Sequence, residues 1–261
     1  MRKILDINDF ERLLMAGLLK QCTCESCGAQ GDVLIRSNMC WECNDAHNVK
    51  EKEKEKEECR RYIEGNVDRI LVERGAPPKI VEGLAGIAKI KIPHADGSLY
   101  LFGGVGTGKT TLAVAIMKRD ALLNLTAEKV VGGRYEVHGV SYRLVRMGDL
   151  SRRLRATFNA NNGGSVETEH KILDSLCNAR KLVVDDFGTE KATEYIANVV
   201  YDIIDTRYSN NLTTIFTSNY SPQQIADRYV DKVVGARIAS RIVEMCRVVE
   251  VGGADRRLEA R

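Results

Sequence analysis

The apolar positions of this chain change period several times along its length, and each change marks an element. Ile4, Leu5, Phe10, Leu13, Leu14 and Leu18 recur at helical spacing, which predicts a short amphipathic helix within residues 1–20. The alternating Lys/Glu run from Lys50 to Glu58 has no apolar residue and predicts a solvated helix or a linker. Ile63, Val67, Ile70 and Leu71 then resume helical spacing, until Gly75 and Pro77-Pro78 stop the pattern. Beyond that point short apolar runs alternate with longer amphipathic ones. Strands are predicted at Leu99–Phe102, Val140–Val145, Lys181–Val184 and Leu212–Thr217, and helices at Thr110–Lys118, 149–159, 168–179 and 193–208. The last helix gathers Ile196, Val199, Val200, Ile203 and Ile204 on one face. Ser221-Pro222-Gln223-Gln224 reads as a helix start, with a Ser cap, Pro in the first turn and Gln completing a capping box. Asn161-Asn162-Gly163-Gly164 reads as a flexible loop, and no internal repeat is visible. Strand–helix alternation of this kind predicts an α/β fold, a parallel sheet with helices on both faces. The boundary is expected near residue 76, between an N-terminal module (1–76) and a main domain (77–261).

Composition changes this picture mainly at the N-terminal end. The length of 261 residues suits one large domain plus a small one, taking ~150 residues per domain. A net charge of +3 does not by itself announce a nucleic-acid binder, so local patches must decide. The first residues lack the apolar core of a signal peptide, and no apolar run approaches the ~20 residues needed to span a bilayer, so a cytoplasmic location without membrane attachment is expected. Of eight cysteines, six precede residue 60. In a reducing compartment such clustering points to metal rather than disulfides.

The main domain carries a phosphate-binding pattern. Gly103-Gly104-Val105-Gly106-Thr107-Gly108-Lys109-Thr110 is a complete Walker A sequence, with a predicted strand before it and a helix, continuing through Thr111, after it. Its glycines let backbone N–H groups wrap the phosphates of ATP, and the helix N-terminus adds partial positive charge. Lys109 is expected on the β- and γ-phosphates, and Thr110 on Mg²⁺. Leu182-Val183-Val184-Asp185-Asp186 is an apolar strand ending in two acids, the Walker B counterpart. Asp185 is expected on the Mg²⁺ shell, and Asp186 at the place of the base that polarises water. Many such ATPases carry Glu there; the shorter Asp implies slow or partner-dependent hydrolysis. Asn219 closes the next apolar strand, where its amide could orient water.

Cys24-x₂-Cys27-x₁₂-Cys40-x₂-Cys43 pairs two CxxC bites, the spacing of a structural Zn²⁺ ribbon. Cys22 could replace Cys24, and His47 is a weaker substitute for Cys43. A redox or Fe–S site is the competing reading. Cys59, Cys177 and Cys246 read as ordinary thiols. A module this small has little core, so bound metal would supply its stability.

Taken in order and spacing, Leu99–Thr111, Leu182–Glu190, Ile204–Tyr208 and Thr217–Asn219 resemble the DnaC/DnaI/IstB branch of AAA+ ATPases over roughly residues 77–257. The resemblance implies a loader of a DnaB-type replicative hexameric helicase, acting with ATP on single-stranded DNA during replication initiation. An IstB-like transposition helper is the nearest alternative, and a non-hydrolysing ATP- and DNA-binding scaffold is another. Gly235–Ile242 resembles the family's arginine-finger segment, in which Arg241 would reach a neighbouring subunit's ATP and so implies self-association. Arg256 resembles the late arginine near the nucleotide, with Arg257 beside it. Arg207 matches a family arginine that contacts a neighbour or offsets a helix dipole. Arg143, Arg146, Arg152, Arg153 and Arg155 form a basic stretch against one acid, Asp149. The resemblance places a DNA-facing helix there, so Arg143, Arg152, Arg153 and Arg155 are candidate phosphate contacts. Tyr142 and Phe158 are the aromatic residues available for base stacking. In DnaI-like loaders the N-terminal zinc module contacts the helicase; a ribbon touching DNA directly is the alternative.

Overall fold

The computed structural model describes residues 19–34, 37–84, 97–158, 168–189 and 193–255. The loop at 161–164 and both Arg256 and Arg257 lie outside them, as does the N-terminal helix expected over 1–20, apart from Leu19 and Lys20, which open a strand. Two compact units are present, Met1–Tyr62 and Ile63–Arg261.

In the first unit β1 (Leu19–Thr23) and β2 (Gln30–Leu34) form an antiparallel ribbon, with Leu19 opposite Leu34 and Cys22 opposite Gly31. A 33-residue helix, α1 (Trp41–Glu73), starts after it. The Lys/Glu run lies inside α1 and is exposed through Glu57. It is helical because Lys and Glu are strong helix formers, and pairs four residues apart, such as Arg61 with Glu57 at 3.3 Å, add support.

In the second unit the last turns of α1 bury Ile63, Val67, Ile70 and Leu71. A short α2 (Pro78–Gly83) follows, with Pro in its first turn. Next come β3 (Ser98–Phe102), α3 (Lys109–Asn124), β4 (Leu125–Lys129), β5 (Tyr135–Gly139), β6 (Tyr142–Arg146), α4 (Met147–Phe158), α5 (Glu169–Cys177) and β7 (Lys181–Phe187). The described chain closes with α6 (Glu194–Ser209), β8 (Thr213–Ser218), α7 (Pro222–Arg228), α8 (Lys232–Met245) and β9 (Cys246–Glu250). Five strands form a sheet in the order β6-β7-β8-β3-β9, every neighbour parallel. Alternation along the strands feeds two cores: Tyr100, Leu182, Val184 and Phe216 pack with α4–α8, whereas Leu99, Leu101, Val183 and Ile215 pack with α1, α2 and α3. This is the expected parallel sheet flanked by helices. The capping box at Ser221 and Gln224 is formed.

The structure adds elements that periodicity did not predict. α3 runs on to Asn124, β4 and β5 make a separate antiparallel ribbon, and β9 joins the sheet beside β3. At the β6 edge, Leu144 N–H donates to the Arg74 carbonyl at 2.8 Å. Gly75, at φ +101°, presses so closely there that a Cβ would lie 2.2 Å from the Leu144 oxygen. A left-handed residue in such contact has to be glycine.

Candidate functional site

The strand order carries the chain from β3 across to β6, which opens a crevice at the carboxyl ends of the strands, the usual ligand position in open α/β sheets. The phosphate-loop sequence lies there, between β3 and α3. Gly106 (φ +75°) and Gly108 (φ +93°) are left-handed, and Gly108 caps α3. Two of the glycines also meet the segment after β9. A Cβ on Gly103 would fall 2.3 Å from the Val251 carbonyl, and one on Gly106 would fall 1.8 Å from the Asp255 carboxylate. Lys109 is buried, and its ammonium reaches back to the carbonyls of Gly103 (3.0 Å) and Gly104 (2.6 Å). Thr107 Oγ1 donates to Gly104 at 3.1 Å. Val105 is 61% exposed at the tip, while Thr110 and Thr111 form the first turn of α3.

Asp185 is fully buried at the end of β7. Its Oδ1 accepts from Thr110 Oγ1 and Thr217 Oγ1, each at 2.7 Å, and its Oδ2 faces Arg146 Nε at 3.3 Å. The hydroxyl and carboxylate expected to share Mg²⁺ are thus adjacent, and both are hard oxygen donors that suit the ion. Asp186 differs sharply from its neighbour. The β7–β8 register breaks between Val184 and Phe187, and Asp186 adopts φ +56° with an exposed side chain. Such a bulge re-aims one side chain off the strand, and Asp tolerates the left-handed region better than most residues. Asp186 N–H donates to Thr217 Oγ1 at 3.0 Å, so Thr217 ties both acids. Asn219 is exposed just beyond β8 and has no hydrogen bond among the described residues.

The remaining arginines separate. Arg241 Nε donates to Asp205 Oδ1 at 2.8 Å, and its guanidinium stacks 4.4 Å over the Tyr208 ring, with Glu244 Oε2 3.5 Å away. Arg237, one turn earlier on α8, is exposed and has no ion pair among the described residues. Arg207 has no exposure; it donates to the carbonyls of Leu176 (2.7 Å), Ala179 (2.6 Å) and Thr213 (2.7 Å) and to Thr214 Oγ1 (2.9 Å). Burial pulls its guanidinium down to about 10. Arg207 therefore closes otherwise unpaired carbonyls at the end of α5 and the start of β8 rather than meeting a neighbour. Arg143 and Arg153 line an open cleft of ≈ 530 Å³ beside β6, joined by Arg74. Arg152 instead pairs with Asp149, and Arg155 Nε bonds the Ser151 carbonyl at 3.0 Å. Tyr142 is buried and donates to Asp120, which removes it from base stacking; Phe158 packs edge-on against Tyr195.

In the first unit the Sγ atoms of Cys24, Cys27, Cys40 and Cys43 all lie within 4.8 Å of one another. Cys27 and Cys40 are 3.8 Å apart, matching the ~3.8 Å edge of a tetrahedron with ~2.3 Å Zn–S bonds. The residues present therefore fit Zn²⁺. Local N–H groups shape the knuckle: Cys40 N–H donates to Cys24 Sγ at 3.2 Å, and Gly28 N–H to the Cys24 carbonyl at 2.9 Å. Backbone N–H groups, that of Cys40 first and then that of Cys27, hold the Cys24 thiol down at about 6. His47 lies outside the cluster and faces Glu51 at 3.7 Å.

Thr217 and Arg146 are the site residues that sequence reasoning did not assign to the nucleotide site. Both touch Asp185 only because of strand register. The available signal was position: Arg146 ends the strand that neighbours Asp185, and Thr217 stands two residues before Asn219.

The family model described as IstB-like ATP binding protein matches residues 67–261. Replicative helicase loader DnaI of Bacillus subtilis (strain 168) is 27% identical over 167 residues, covering 61% of this chain and 47% of that protein. Replicative helicase loader DnaC of Buchnera aphidicola subsp. Baizongia pistaciae is 31% identical over 121 residues, covering 46% of this chain and 42% of that protein. The chain thus spans about half the length of these curated relatives. A crystal structure of DnaI matches at 30% identity with a TM-score of 0.48, covering 68% of this chain and 81% of that one.

Proposed function

This chain belongs to the IstB-like ATP-binding protein family, and we propose that it is an ATP-dependent loader that binds a DnaB-type replicative helicase and single-stranded DNA. The observation that carries the reading is Asp185, buried and held by Thr110 and Thr217 at the mouth of the glycine loop. The names of the helicase-loader relatives support the direction of the reading.

In this mechanism the backbone of Gly103–Gly108 cradles the ATP phosphates, with Lys109 turning from the loop carbonyls to the β- and γ-phosphates. Thr110 and Asp185 hold the Mg²⁺, which supplies charge neutralisation to the phosphates when bound. Asp186, projected by its bulge, receives the proton of the attacking water, and Asn219 orients that water. Arg241 acts on the ATP of a neighbouring copy once released from Asp205, and Arg256 assists from the C-terminal segment. Arg143 and Arg153, with Arg74, track DNA phosphates; Arg152 and Arg155 contribute secondarily. The zinc-bound module, 1–76, contacts the helicase, and 77–261 is the ATPase domain. The protein works in the cytoplasm; among the described residues no helix is long and apolar enough to cross a membrane.

A tagged full-length protein should recover a hexameric helicase in the presence of ATP. Recovery of a transposase instead would select the transposition-helper reading. Hydrolysis stimulated by single-stranded DNA and abolished by Arg241→Ala is expected; nucleotide binding without any turnover would identify a scaffold.

A further inference from the structure

Arg146 is the last residue of β6 and the register partner of Asp185 on β7. The oxygens of Asp185 are divided between two kinds of donor. Oδ1 takes the hydroxyls of Thr110 and Thr217, whereas Oδ2 faces Arg146 at 3.3 Å. The carboxylate has no exposure, while the arginine side chain is 47% exposed. A buried carboxylate without positive charge beside it is costly, so the cation answers a need of the fold.

The same carboxylate is the one that the nucleotide-bound divalent ion would draw on. We propose that Arg146 competes with Mg²⁺ for Asp185, and so sets the Mg²⁺ concentration at which the site holds nucleotide. The proposal rests on the reading of this crevice as a Mg–nucleotide site. Three features make competition, rather than permanent pairing, the fitting role. The guanidinium meets Asp185 through one contact, Nε to Oδ2 at 3.3 Å, so a swing of the side chain is enough to release it. Its side chain is nearly half in water, where a displaced guanidinium is readily resolvated. Its backbone is fixed, by β6–β7 pairing before it and by Met147, 1% exposed, after it. Only the side chain is therefore free to swing. Arg146 is a positioning residue in this scheme: it acts on the ion through Asp185.

The test is binding of a fluorescent ATP analogue to the full-length protein across a Mg²⁺ series, in the wild type, Arg146→Gln and Arg146→Lys. Removing the charge is expected to lower the half-saturating Mg²⁺ concentration about three- to tenfold. Arg146→Lys, which keeps a cation, should stay within about twofold of the wild type. Arg146→Met, which retains the apolar stem, gives the same reading should the Gln variant not fold. An unchanged Mg²⁺ curve accompanied by a lower melting temperature would make Arg146 a structural partner only and overturn the proposal. A higher Mg²⁺ requirement in Arg146→Gln would overturn it too, since Arg146 would then assist the ion. A wild-type protein that binds the analogue with no Mg²⁺ dependence, or not at all, overturns the reading of the crevice itself along with the proposal.

Discussion

Two sites in this molecule are built on opposite principles. The crevice around Asp185 is assembled from the ends of strands whose register is fixed by a two-sided core. Thr110, Arg146, Asp185 and Thr217 meet there through contacts made entirely within the protein. The four cysteines of the first unit converge between a two-stranded ribbon and the start of α1, with Cys24 the thiol that is deeply buried. Four sulfurs crowded together have little reason to stay so without a cation between them. One site is held by the fold itself; the other presents four thiols whose bound metal would hold its part of the fold.

The sharpest way to break this comparison is to remove the metal. Chelation, or Cys40→Ser, should unfold residues 19–40 while sparing nucleotide binding; structural zinc in comparable small modules is worth ~10–16 kcal/mol. Limited proteolysis and zinc release read the outcome, and a protease-resistant module free of metal would contradict the contrast. Next in size is Arg207→Ala. It leaves the carbonyls of Leu176, Ala179 and Thr213 without their buried donor and should cost ~3–5 kcal/mol in denaturant unfolding of the second unit. Zinc content should not change. Thr217→Val keeps the shape but removes the hydroxyl shared by Asp185 and the Asp186 N–H. A loss of ~1–3 kcal/mol in thermal stability is expected, with weaker Mg–nucleotide binding by calorimetry. Unchanged binding would show that the crevice does not depend on its internal bonds.

The smallest effect is a pH dependence confined to the first unit. A thiol whose pKa falls on folding stabilises fully above the ordinary thiol range, and that contribution is lost as pH falls through the folded value. Zinc holds its cysteines as thiolates, so it should be retained at neutral pH and released as acid reprotonates them. A zinc-sensitive dye follows the release, and zinc content unchanged into strong acid would contradict a four-thiolate site.

The alternating sheet and helices, the glycine loop and the paired cysteines were legible because each has a local signature. Period-2 and helical runs identify buried faces, and CxxC spacing fixes how two sulfurs can bite. What escaped depends on register or on tertiary approach. β9, Cys246–Glu250, is short and mixes Arg and Glu with its valines, so only its pairing with β3 reveals it. The β4–β5 ribbon exposes Thr126, Glu128, Lys129, Glu136 and His138 and buries little. Asp186 was read as the second acid of the strand end, at the place of the base that polarises water; the bulge that sets it at φ +56° has no periodic signature. Arg207 offered two readings from sequence, and its complete burial among carbonyls selects a structural one. Tyr142 looked available to bases until Asp120 accounted for its hydroxyl.

The contact between Gly75 and the edge of β6 has one more consequence. A sheet border with unpaired amides is a template for another chain, and copies brought side by side by function are the ones most exposed to that hazard. Here the amide of Leu144 is already taken by the Arg74 carbonyl, and the backbone at Gly75 lies flush against the border. Crowding such molecules together therefore does not offer this stretch of β6 as a seed for runaway strand addition.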